Sequence, residues 1–482
     1  MTTEALVLFE FDICVPAQQF RIEYTLVEQG GFPFVPEFLL RLLKVSALMP
    51  ADIARFFGFT PKELSTALTP FLQQGELQST ADGRITLTEK GLRLFDENGE
   101  TPIVKSREDH RKLFTFDLLA FSYLGAKPRL ENPKRAVALS AGDEVRSESV
   151  KLAEVAFQRN LHDIYRRGEL CGQAKEQQTP ELYKISQVEK ERDGWLKIED
   201  SYCLDLESLN VGFKEPAGIA EHEAYINQRS LQLATLIGQS TLNSIMAFAG
   251  RIGDEQTLEL LAAGELDFAR LMQRALTSSD SGKSKQARIY GALQLSRNWD
   301  QVEALFKKYT DKNAKAGAEQ PITLTWLAPA AHGLWGKCSR HGQALSSFVG
   351  AATAKTKDKQ LVGFNPRVLI PLADANDWST RKRASADCSE AGDILHGFIE
   401  STSLSSLEII SLTDSFAVVA YHLVLPELHP VPIPFGFITE DKTLVRRIES
   451  LVEDVMAEYT DSNVPRYLGL LSNGSSGAKK RK

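Results

Sequence analysis

The spacing of apolar residues near the start of the chain predicts two strands, over 5–15 and 20–28. In the second stretch Phe20 and Ile22 alternate with polar neighbours, which is the period of a half-buried strand. A Gly-Gly-Phe-Pro sequence at 30–33 then interrupts the pattern. We therefore expect the chain to begin with strands and to change to another kind of element after residue 33.

Farther along the chain the pattern changes twice more. Residues 101–200 predict polar helices mixed with short strands, and 216–276 predict helices because apolar residues recur at spacings of three and four. Beyond about 320, strand-like segments alternate with helix-like ones, including GDILHGFIE at 392–400. Alternation of this kind is typical of an α/β domain with a mixed sheet.

Three helices and a hairpin are predicted over 36–98. The first, VPEFLLRLLKVSAL, has apolar residues for one buried face at 38, 39, 42, 43 and 45. The second has Pro50 in its first turn and Gly58 just beyond its last, and Thr60 with Glu63 forms a capping box that begins the third.

The third helix and the hairpin complete the pattern. The predicted core-facing residues of this helix are Leu64, Ala67, Leu68, Phe71 and Leu72. Two short strands follow around an Ala-Asp-Gly turn at 81–83, with Leu77, Ile85 and Leu87 expected to point back onto the helices. In IARFFGFTPKELSTALTPFLQQGELQ and RITLTEKG the sequence resembles the bacterial winged-helix superfamily.

The resemblance implies a DNA contact, but the local charge does not favour one. In DNA-binding members the third helix enters the major groove, so the candidate contacts here are Lys62, Thr66 and, in the wing, Arg84. Residues 36–100 contain seven Lys and Arg against nine Asp and Glu, and affinity for DNA depends on neutralising phosphates. Two interpretations stay open: weak or assisted DNA contact, and a protein-binding or dimerising winged helix.

Length and composition place these elements in a multidomain protein. A chain of 482 residues is too long for one core, and we expect an α+β fold with two to four domains. The predicted ranges are 1–100 (N-terminal strands and winged helix), 101–215 (mixed α/β connecting region), 216–300 (helical region), 301–461 (C-terminal α/β domain) and 462–482 (a disordered basic tail).

Charge and cysteine usage bear on where the protein works. The net charge of −7 gives no general attraction to nucleic acid or anionic lipid, so such contacts must come from local patches. Five scattered cysteines without a C-x-x-C pair suit a cytoplasmic protein with no metal site. The N-terminus has no basic segment typical of a secretory signal, and no run of 18 apolar residues predicts a membrane span.

The stretch SLEIISLTDSFAVVAYHLVLP, 406–426, resembles the strand-turn-strand of phospholipase D-type phosphodiesterases. That family requires a His and a Lys at two alternate positions of the first strand. Aligned on Asp414, these positions hold Leu407 and Ile409. The resemblance therefore implies the scaffold without its catalytic groups, and we favour a protein that is not an enzyme and needs no cofactor.

Other residues could still bind phosphate. His332, Lys337 and His341 flank a Gly-rich stretch after a strand-like segment, which is one way to build a phosphate loop or an active site. Ser281-Gly282-Lys283-Ser284 is excluded as a nucleotide-binding P-loop because position 277 is Thr where the motif needs Gly.

Basic clusters are frequent in the C-terminal part of the chain. Their members are Lys283, Lys285 and Arg288; Lys307, Lys308, Lys312 and Lys315; Lys355, Lys357 and Lys359; Arg381, Lys382 and Arg383; and the terminal KKRK. The fourth cluster, Arg381 to Arg383, adds an aromatic residue, Trp378, to its three cations, a combination that suits a phosphate backbone or a single strand. If nucleic acid binds, we expect this half of the chain to supply the charge and the wing to supply the orientation.

These observations favour a non-enzymatic component of a multi-protein bacterial complex, such as a phage-defence or mobile-element system, that binds other proteins and nucleic acid. Two alternatives stay open. One is a phosphodiesterase or nuclease with an atypical active site, and the other is a winged-helix transcriptional regulator.

Overall fold

The computed structural model of the protein describes the ranges 5–31, 34–95, 102–131, 135–170, 181–214, 217–277, 286–316, 322–352, 364–372, 376–387 and 397–457. The predicted tail and the segment 281–284 lie outside them. The chain divides into two compact units. The smaller unit comprises 17–128 and 142–193, and the larger unit comprises 1–16, 129–141 and 194–482.

The first strand, β1, runs without a break over Ala5–Gly31, where the sequence predicted two strands. Before Pro16 it pairs in parallel with β6 (Val137–Ala138), and from Ala17 onwards it pairs antiparallel with β4 (Ile103–Asp117). Proline has no N–H to donate to a ladder, so it is tolerated where one partner strand ends and the next begins. The predicted gap is therefore a change of partner strand.

The sheet that contains β1 has the order β5–β4–β1–β7–β8, with β6 paired to β1. Its remaining strands are β5 (Tyr123–Gly125), β7 (Glu181–Asp205) and β8 (Val211–Phe213). The prediction of short strands over 101–200 is wrong for β7, which has 25 residues. Most side chains of its first half are exposed, so no apolar alternation marks it as a strand.

The predicted winged helix is present in the smaller unit. Its elements are α1 (Phe34–Val45), α2 (Pro50–Phe57), α3 (Pro61–Gln73), β2 (Leu77–Ser79), β3 (Ile85–Leu87) and α4 (Glu89–Leu92). The two strands form the hairpin, and residues from the three helices and the hairpin share one hydrophobic core. Leu77, Ile85 and Leu87 are buried in it, as predicted.

The predicted end of α2 and the predicted start of α3 are confirmed, whereas α1 ends at Val45 rather than at Leu48. Gly58 ends α2 with φ 71°, a left-handed conformation that glycine adopts without strain. The Thr60 N–H donates to Glu63 Oε2 at 2.8 Å, and the Glu63 N–H donates to Thr60 Oγ1 at 3.4 Å, which completes the capping box. One predicted core residue of α3 is not in the core: Leu72 is exposed.

The prediction of a single apolar face for α1 is wrong. The core side of the helix consists of Leu39, Leu40 and Leu43, whereas Phe38 and Val45 are exposed. A helix turns by about 100° per residue, so Phe38 and Val45 lie within about 20° of each other and far from Leu43. Apolar residues therefore occupy two opposite faces of α1.

The remaining helices of the smaller unit are α5 (Asp143–Ser147), α6 (Ser149–Arg159) and α7 (Leu161–Arg166). Phe157 of α6 packs between two strands, with its ring 5.0 Å from Tyr24 of β1 and 4.9 Å from Phe114 of β4. Aromatic contacts thus attach this helix to the sheet.

The larger unit contains a seven-stranded mixed sheet in the order β12–β11–β10–β13–β14–β15–β9. Its strands are β9 (Gln286–Tyr290), β10 (Ile322–Leu327), β11 (Phe364–Leu372), β12 (Phe398–Glu400), β13 (Leu407–Leu412), β14 (Phe416–Leu423) and β15 (Ile433–Thr439). Strands β10, β11 and β12 are parallel, and the other pairs are antiparallel. All eight residues of β14 are buried, so both faces of the sheet are covered.

The larger unit also contains eight α-helices among its described residues, and seven of them contribute to the two core clusters on the sheet. The eight helices are α8 (Glu223–Leu236), α9 (Leu242–Ile252), α10 (Glu255–Leu260), α11 (Phe268–Thr277), α12 (Ser296–Ala316), α13 (Ser339–Ala352), α14 (Trp378–Asp387) and α15 (Lys442–Met456), with a 3₁₀ helix at Gly218–Glu221. One core cluster includes α12, α13 and α14, and the other includes α9, α10, α11 and α15. The α+β fold is confirmed. None of the described helices is both long and apolar enough to cross a membrane.

Strand β12 falls in a segment that was predicted to be helical. Residues 392–396 lie outside the described ranges, but Phe398 and Ile399 are strand and pair in parallel with β11. Both side chains are buried. A short apolar run that is buried on both faces has no period to distinguish strand from helix, which explains the error.

Candidate nucleic-acid interface

The outer face of α3 contains the residues that were predicted to read DNA. Lys62 and Thr66 are exposed one turn apart. The hydroxyl of Thr66 donates to the carbonyl of Lys62 at 2.9 Å, and that of Thr69 donates to Ser65 at 2.6 Å. Hydrogen bonds from Thr60 lower the pKa of Glu63, which keeps this carboxylate charged beside Lys62. The face therefore offers one cation next to an anion. The hydroxyl protons of Thr66 and Thr69 are already donated to the helix backbone.

Arg84 in the wing is exposed, but its charge is matched locally. Its Nε lies 3.0 Å from Asp82 Oδ2, and one terminal nitrogen donates to the Ala47 carbonyl at 3.3 Å. The Thr80 hydroxyl, and to a smaller extent Arg84, lowers the pKa of Asp82. Phosphate binding by Arg84 would have to compete with this carboxylate.

Helix α14 exposes an aromatic ring beside two cations. Trp378 is 68% exposed, and the Arg381 guanidinium lies 5.1 Å from its ring centroid and 5.3 Å from that of Phe398. Lys382 is exposed one turn after Trp378, on the same side of the helix. Arg383 belongs to the same helix. We refer to Trp378, Arg381 and Lys382 as the α14 surface.

Several other predicted basic residues are paired within the protein. Arg288 lies 3.1 Å from Asp254, and Lys308 lies 2.5 Å from Glu440. Lys283, Lys285, Lys355, Lys357, Lys359 and the terminal KKRK lie outside the described residues. Among the predicted cationic clusters that the structure does describe, the α14 surface combines cations with an exposed indole.

The predicted phosphate loop contains an internal anion. The carboxylate Oδ2 of Asp12 accepts hydrogen bonds from the Ser339 N–H and hydroxyl, both at 2.8 Å, and lies 2.7 Å from Lys197 Nζ. These are the first N–H of α13 and a neighbouring cation, the groups that would bind a phosphate. The Lys337 carbonyl accepts from the Asp12 N–H at 2.7 Å. Phosphate binding here stays a prediction, and it would require displacement of Asp12.

His332 and His341 are buried, with exposures of 3% and 1%. His332 belongs to a hydrogen-bonded chain. The Leu334 N–H donates to its Nδ1 at 3.2 Å, so its proton is on Nε2, which lies 2.9 Å from His422 Nδ1. His422 must then donate from Nε2, which lies 3.0 Å from Glu408 Oε2. One set of tautomers thus satisfies the whole chain.

The chain ends at a fully buried carboxylate. Glu408 Oε1 accepts from the indole N–H of Trp326 at 3.1 Å and from that of Trp335 at 2.8 Å. Burial alone would raise the pKa of Glu408, but the hydrogen bonds from His422 and from the Trp335 indole outweigh it and lower the pKa. We refer to Glu408, His422, His332, Trp326 and Trp335 as the Glu408 cluster. Sequence reasoning missed it, although a charged residue within the apolar run LEIISL was a signal.

His341 packs against this cluster without joining it. Its ring centroid is 4.3 Å from that of Trp335 and 5.5 Å from that of Trp326. Burial lowers the pKa of His341 to about 4, with a smaller opposing effect of Glu408. The imidazole is therefore neutral at pH 7 and acts as a packed ring.

The two positions aligned with the phosphodiesterase motif, Leu407 and Ile409, are buried in the core on the sheet face opposite Glu408. Side chains alternate between the faces of a strand, so Glu408 alone of these three points toward the Trp326 side. The strand supplies a carboxylate that is fully hydrogen-bonded by the protein, which is an arrangement for stabilising the fold.

The larger unit also contains a pocket of about 360 Å³ beside α10 and α15. Four of its charged groups bind one another or the backbone. Arg288 pairs with Asp254, Arg447 donates to the Ile252 carbonyl at 2.9 Å, and Asp441 accepts from the first N–H groups of α15. These contacts attach β9 to the start of α10, and α15 to the end of α9.

Comparison with known proteins gives one weak structural likeness to report. No protein-family model matches it, and no curated protein matches it significantly. One solved structure that matches is that of TrmBL2, an archaeal chromatin protein described as having a novel mode of DNA binding. It is 11% identical, and the match covers 50% of this chain and 73% of that chain with a TM-score of 0.20. At that TM-score the likeness carries no argument about this chain.

Proposed function

We propose that this protein is a nucleic-acid-binding component of a multi-protein assembly, which contacts single-stranded nucleic acid through the α14 surface and binds protein through its winged helix. The observation that carries the proposal is the 68% exposure of the Trp378 indole, with Arg381 stacked on it and Lys382 beside it.

An exposed indole beside cations has a direct use in binding a single strand. Any base can stack on an aromatic face, and neighbouring cations neutralise the phosphates on either side of that base. The Arg381 guanidinium also lies over the Phe398 ring, and this second contact orients it beside Trp378. The α14 surface thus has the chemistry of a stacking platform that does not depend on base sequence.

The winged helix supports a protein contact better than a DNA contact. Among the described residues, seven of the thirteen exposed large hydrophobic side chains belong to it: Phe34, Phe38, Val45, Met49, Phe56, Leu72 and Leu92. Concentrated exposure of this kind marks a protein-interaction surface. Its polar face has Glu63 beside Lys62 and Asp82 beside Arg84, so phosphate attraction is weak.

Fluorescence anisotropy of the full chain tests the proposal, with labelled single- and double-stranded DNA of the same sequence over a salt series. We expect salt-sensitive binding that favours the single strand. Lys382→Glu should weaken it and reduce the slope of log affinity against log salt by about 1, because one phosphate contact is lost.

Lys62→Glu is the matched control, because it reverses the charge of another exposed lysine in the first or second turn of a helix. It should leave affinity and slope nearly unchanged. Equal losses in the two variants would contradict a site at α14, and a loss in Lys62→Glu alone would favour DNA reading by α3. No binding at low salt would refute the nucleic-acid part of the proposal.

A further inference from the structure

Helix α1 has an apolar stripe on the side opposite its core. Phe34, Phe38 and Val45 are 71%, 38% and 85% exposed, and the two phenyl rings lie 4.6 Å apart. At about 100° per residue these three positions fall within about 40° of one another. Their burial against a partner would remove apolar surface from water, which is the main driving force of association.

One flank of the stripe has an ordered charge pattern. Glu37 lies toward the N-terminal end, and Arg41 and Lys44 lie toward the C-terminal end. Glu37 and Arg41 are 3.0 Å apart within the helix, and the Arg41 guanidinium lies 5.6 Å from the Phe38 ring centroid. Acid at one end and base at the other make this flank complementary to a copy of itself that runs in the opposite direction.

We infer that the outer face of α1 binds a second copy of this chain, with the two α1 helices antiparallel about a twofold axis. A twofold contact joins the same patch of both subunits. An antiparallel register centred between Leu39 and Leu40 places Phe34 opposite the partner's Val45 and Phe38 opposite the partner's Arg41. The same operation brings Glu37 toward the basic end of the partner helix, whereas a parallel pair would not.

This inference concerns the protein-binding role of the winged helix and does not depend on nucleic-acid contact at α14. A single helix face is smaller than the roughly 800 Å² per partner of a standard interface. We therefore expect a dimer that dissociates on dilution, which makes the concentration dependence of its mass the appropriate measurement.

Sedimentation equilibrium of the full chain over a wide concentration range tests the inference. We expect a monomer–dimer equilibrium, which Phe38→Lys should weaken by about thirtyfold because it places a cation at the centre of the interface, opposite the partner's Arg41. Phe56→Lys is the matched control on α2: Phe56 is also exposed, but it is not on the stripe, and its substitution should leave dimerisation unchanged. Circular dichroism checks that both variants are folded.

A charge swap tests the antiparallel arrangement itself. Glu37→Arg or Arg41→Glu alone should weaken the dimer, because each brings like charges of the two helices near one another, and the double variant should restore much of the loss. A chain that stays monomeric at every concentration would overturn the inference. So would a dimer that Phe38→Lys leaves unchanged, or one that Phe56→Lys weakens equally. These outcomes are independent of the anisotropy results.

Discussion

The α14 surface and the Glu408 cluster belong to the same unit and use similar side chains in opposite ways. In the α14 surface, the Trp378 indole faces solvent and a guanidinium lies over it. In the Glu408 cluster, two indoles donate their N–H groups to one buried carboxylate. Residue types alone therefore do not separate a binding site from a stabilising network. The difference lies in whether polar groups and rings find their partners inside the protein.

Removal of the buried carboxylate should have the largest effect on stability. Glu408→Leu leaves the N–H groups of Trp326, Trp335 and His422 buried without an acceptor, and each buried unpaired group is costly. We expect a loss of about 3–5 kcal/mol in the free energy of unfolding, the range for breaking a buried charged network. Urea denaturation measures it.

The matched control is Glu427→Leu, which removes an exposed glutamate and should change stability by less than about 0.5 kcal/mol. If Glu408→Leu changed the free energy of unfolding as little as this control does, the Glu408 cluster would not be a stabilising network. A functional role for its histidines would then have to be tested.

The second prediction concerns the pH dependence of stability that arises from His341, the buried ring that packs against the Glu408 cluster. Burial holds the pKa of His341 at about 4, below its ordinary value of 6.5, so the unfolded chain binds more protons between these values. Stability should be fully present above pH 6.5 and decline as the pH falls toward 4, by up to about 3 kcal/mol from this group. Urea denaturation at a series of pH values tests this.

The charged groups that act on His341 are Glu408, which raises its pKa, and Arg135, which lowers it. Carboxylates elsewhere also titrate in this range, so the informative quantity is the difference between the wild type and His341→Phe. The variant should show a shallower decline on acidification. Parallel curves would mean that His341 does not sense pH.

The third prediction concerns the exposed region. Trp378→Ala removes the stacking surface, and a base stacked on an aromatic ring contributes about 1–3 kcal/mol. We expect single-strand affinity to fall by about 5- to 150-fold, while the free energy of unfolding changes little because the indole is exposed. An unchanged affinity would place nucleic-acid contact elsewhere or remove it.

The smallest expected effect is in the winged helix. Lys62→Glu, Thr66→Glu and Arg84→Glu combined should change DNA affinity by less than about twofold, because Glu63 and Asp82 already oppose phosphate at this face. Anisotropy with double-stranded DNA is the relevant measurement. A large loss would restore the interpretation of this protein as a winged-helix regulator.

Local features were predictable from the sequence because their partners are close in the chain. The Thr60–Glu63 capping box joins residues three apart, and the left-handed Gly58 ends the helix that precedes it. The amphipathic pattern of α3 and the hairpin turn likewise depend on neighbouring residues. These elements alone were sufficient to predict the winged helix.

Long-range contacts explain what the sequence did not reveal. Glu408 meets Trp326 and Trp335 across 82 and 73 residues, and Asp12 reaches Ser339 across 327. No spacing rule connects such residues, so His332 and His341 were interpreted as loop residues rather than as buried rings. The sequence predicted one buried apolar face for α1, although its apolar residues lie on two faces. Only tertiary packing decides which of these faces is covered.

The most direct test of nucleic-acid contact at α14 is the tryptophan emission of the full chain during titration with a single-stranded oligonucleotide. Trp299, Trp326 and Trp335 are buried and Trp195 is half-buried, so the quenching that disappears when Trp378 is replaced is the part that reports on the α14 surface. We predict that the emission of the wild type falls on binding and that most of this change is lost in Trp378→Phe, which keeps a ring for stacking. Equal quenching in both proteins, or no quenching when anisotropy shows the wild type saturated, would contradict the account.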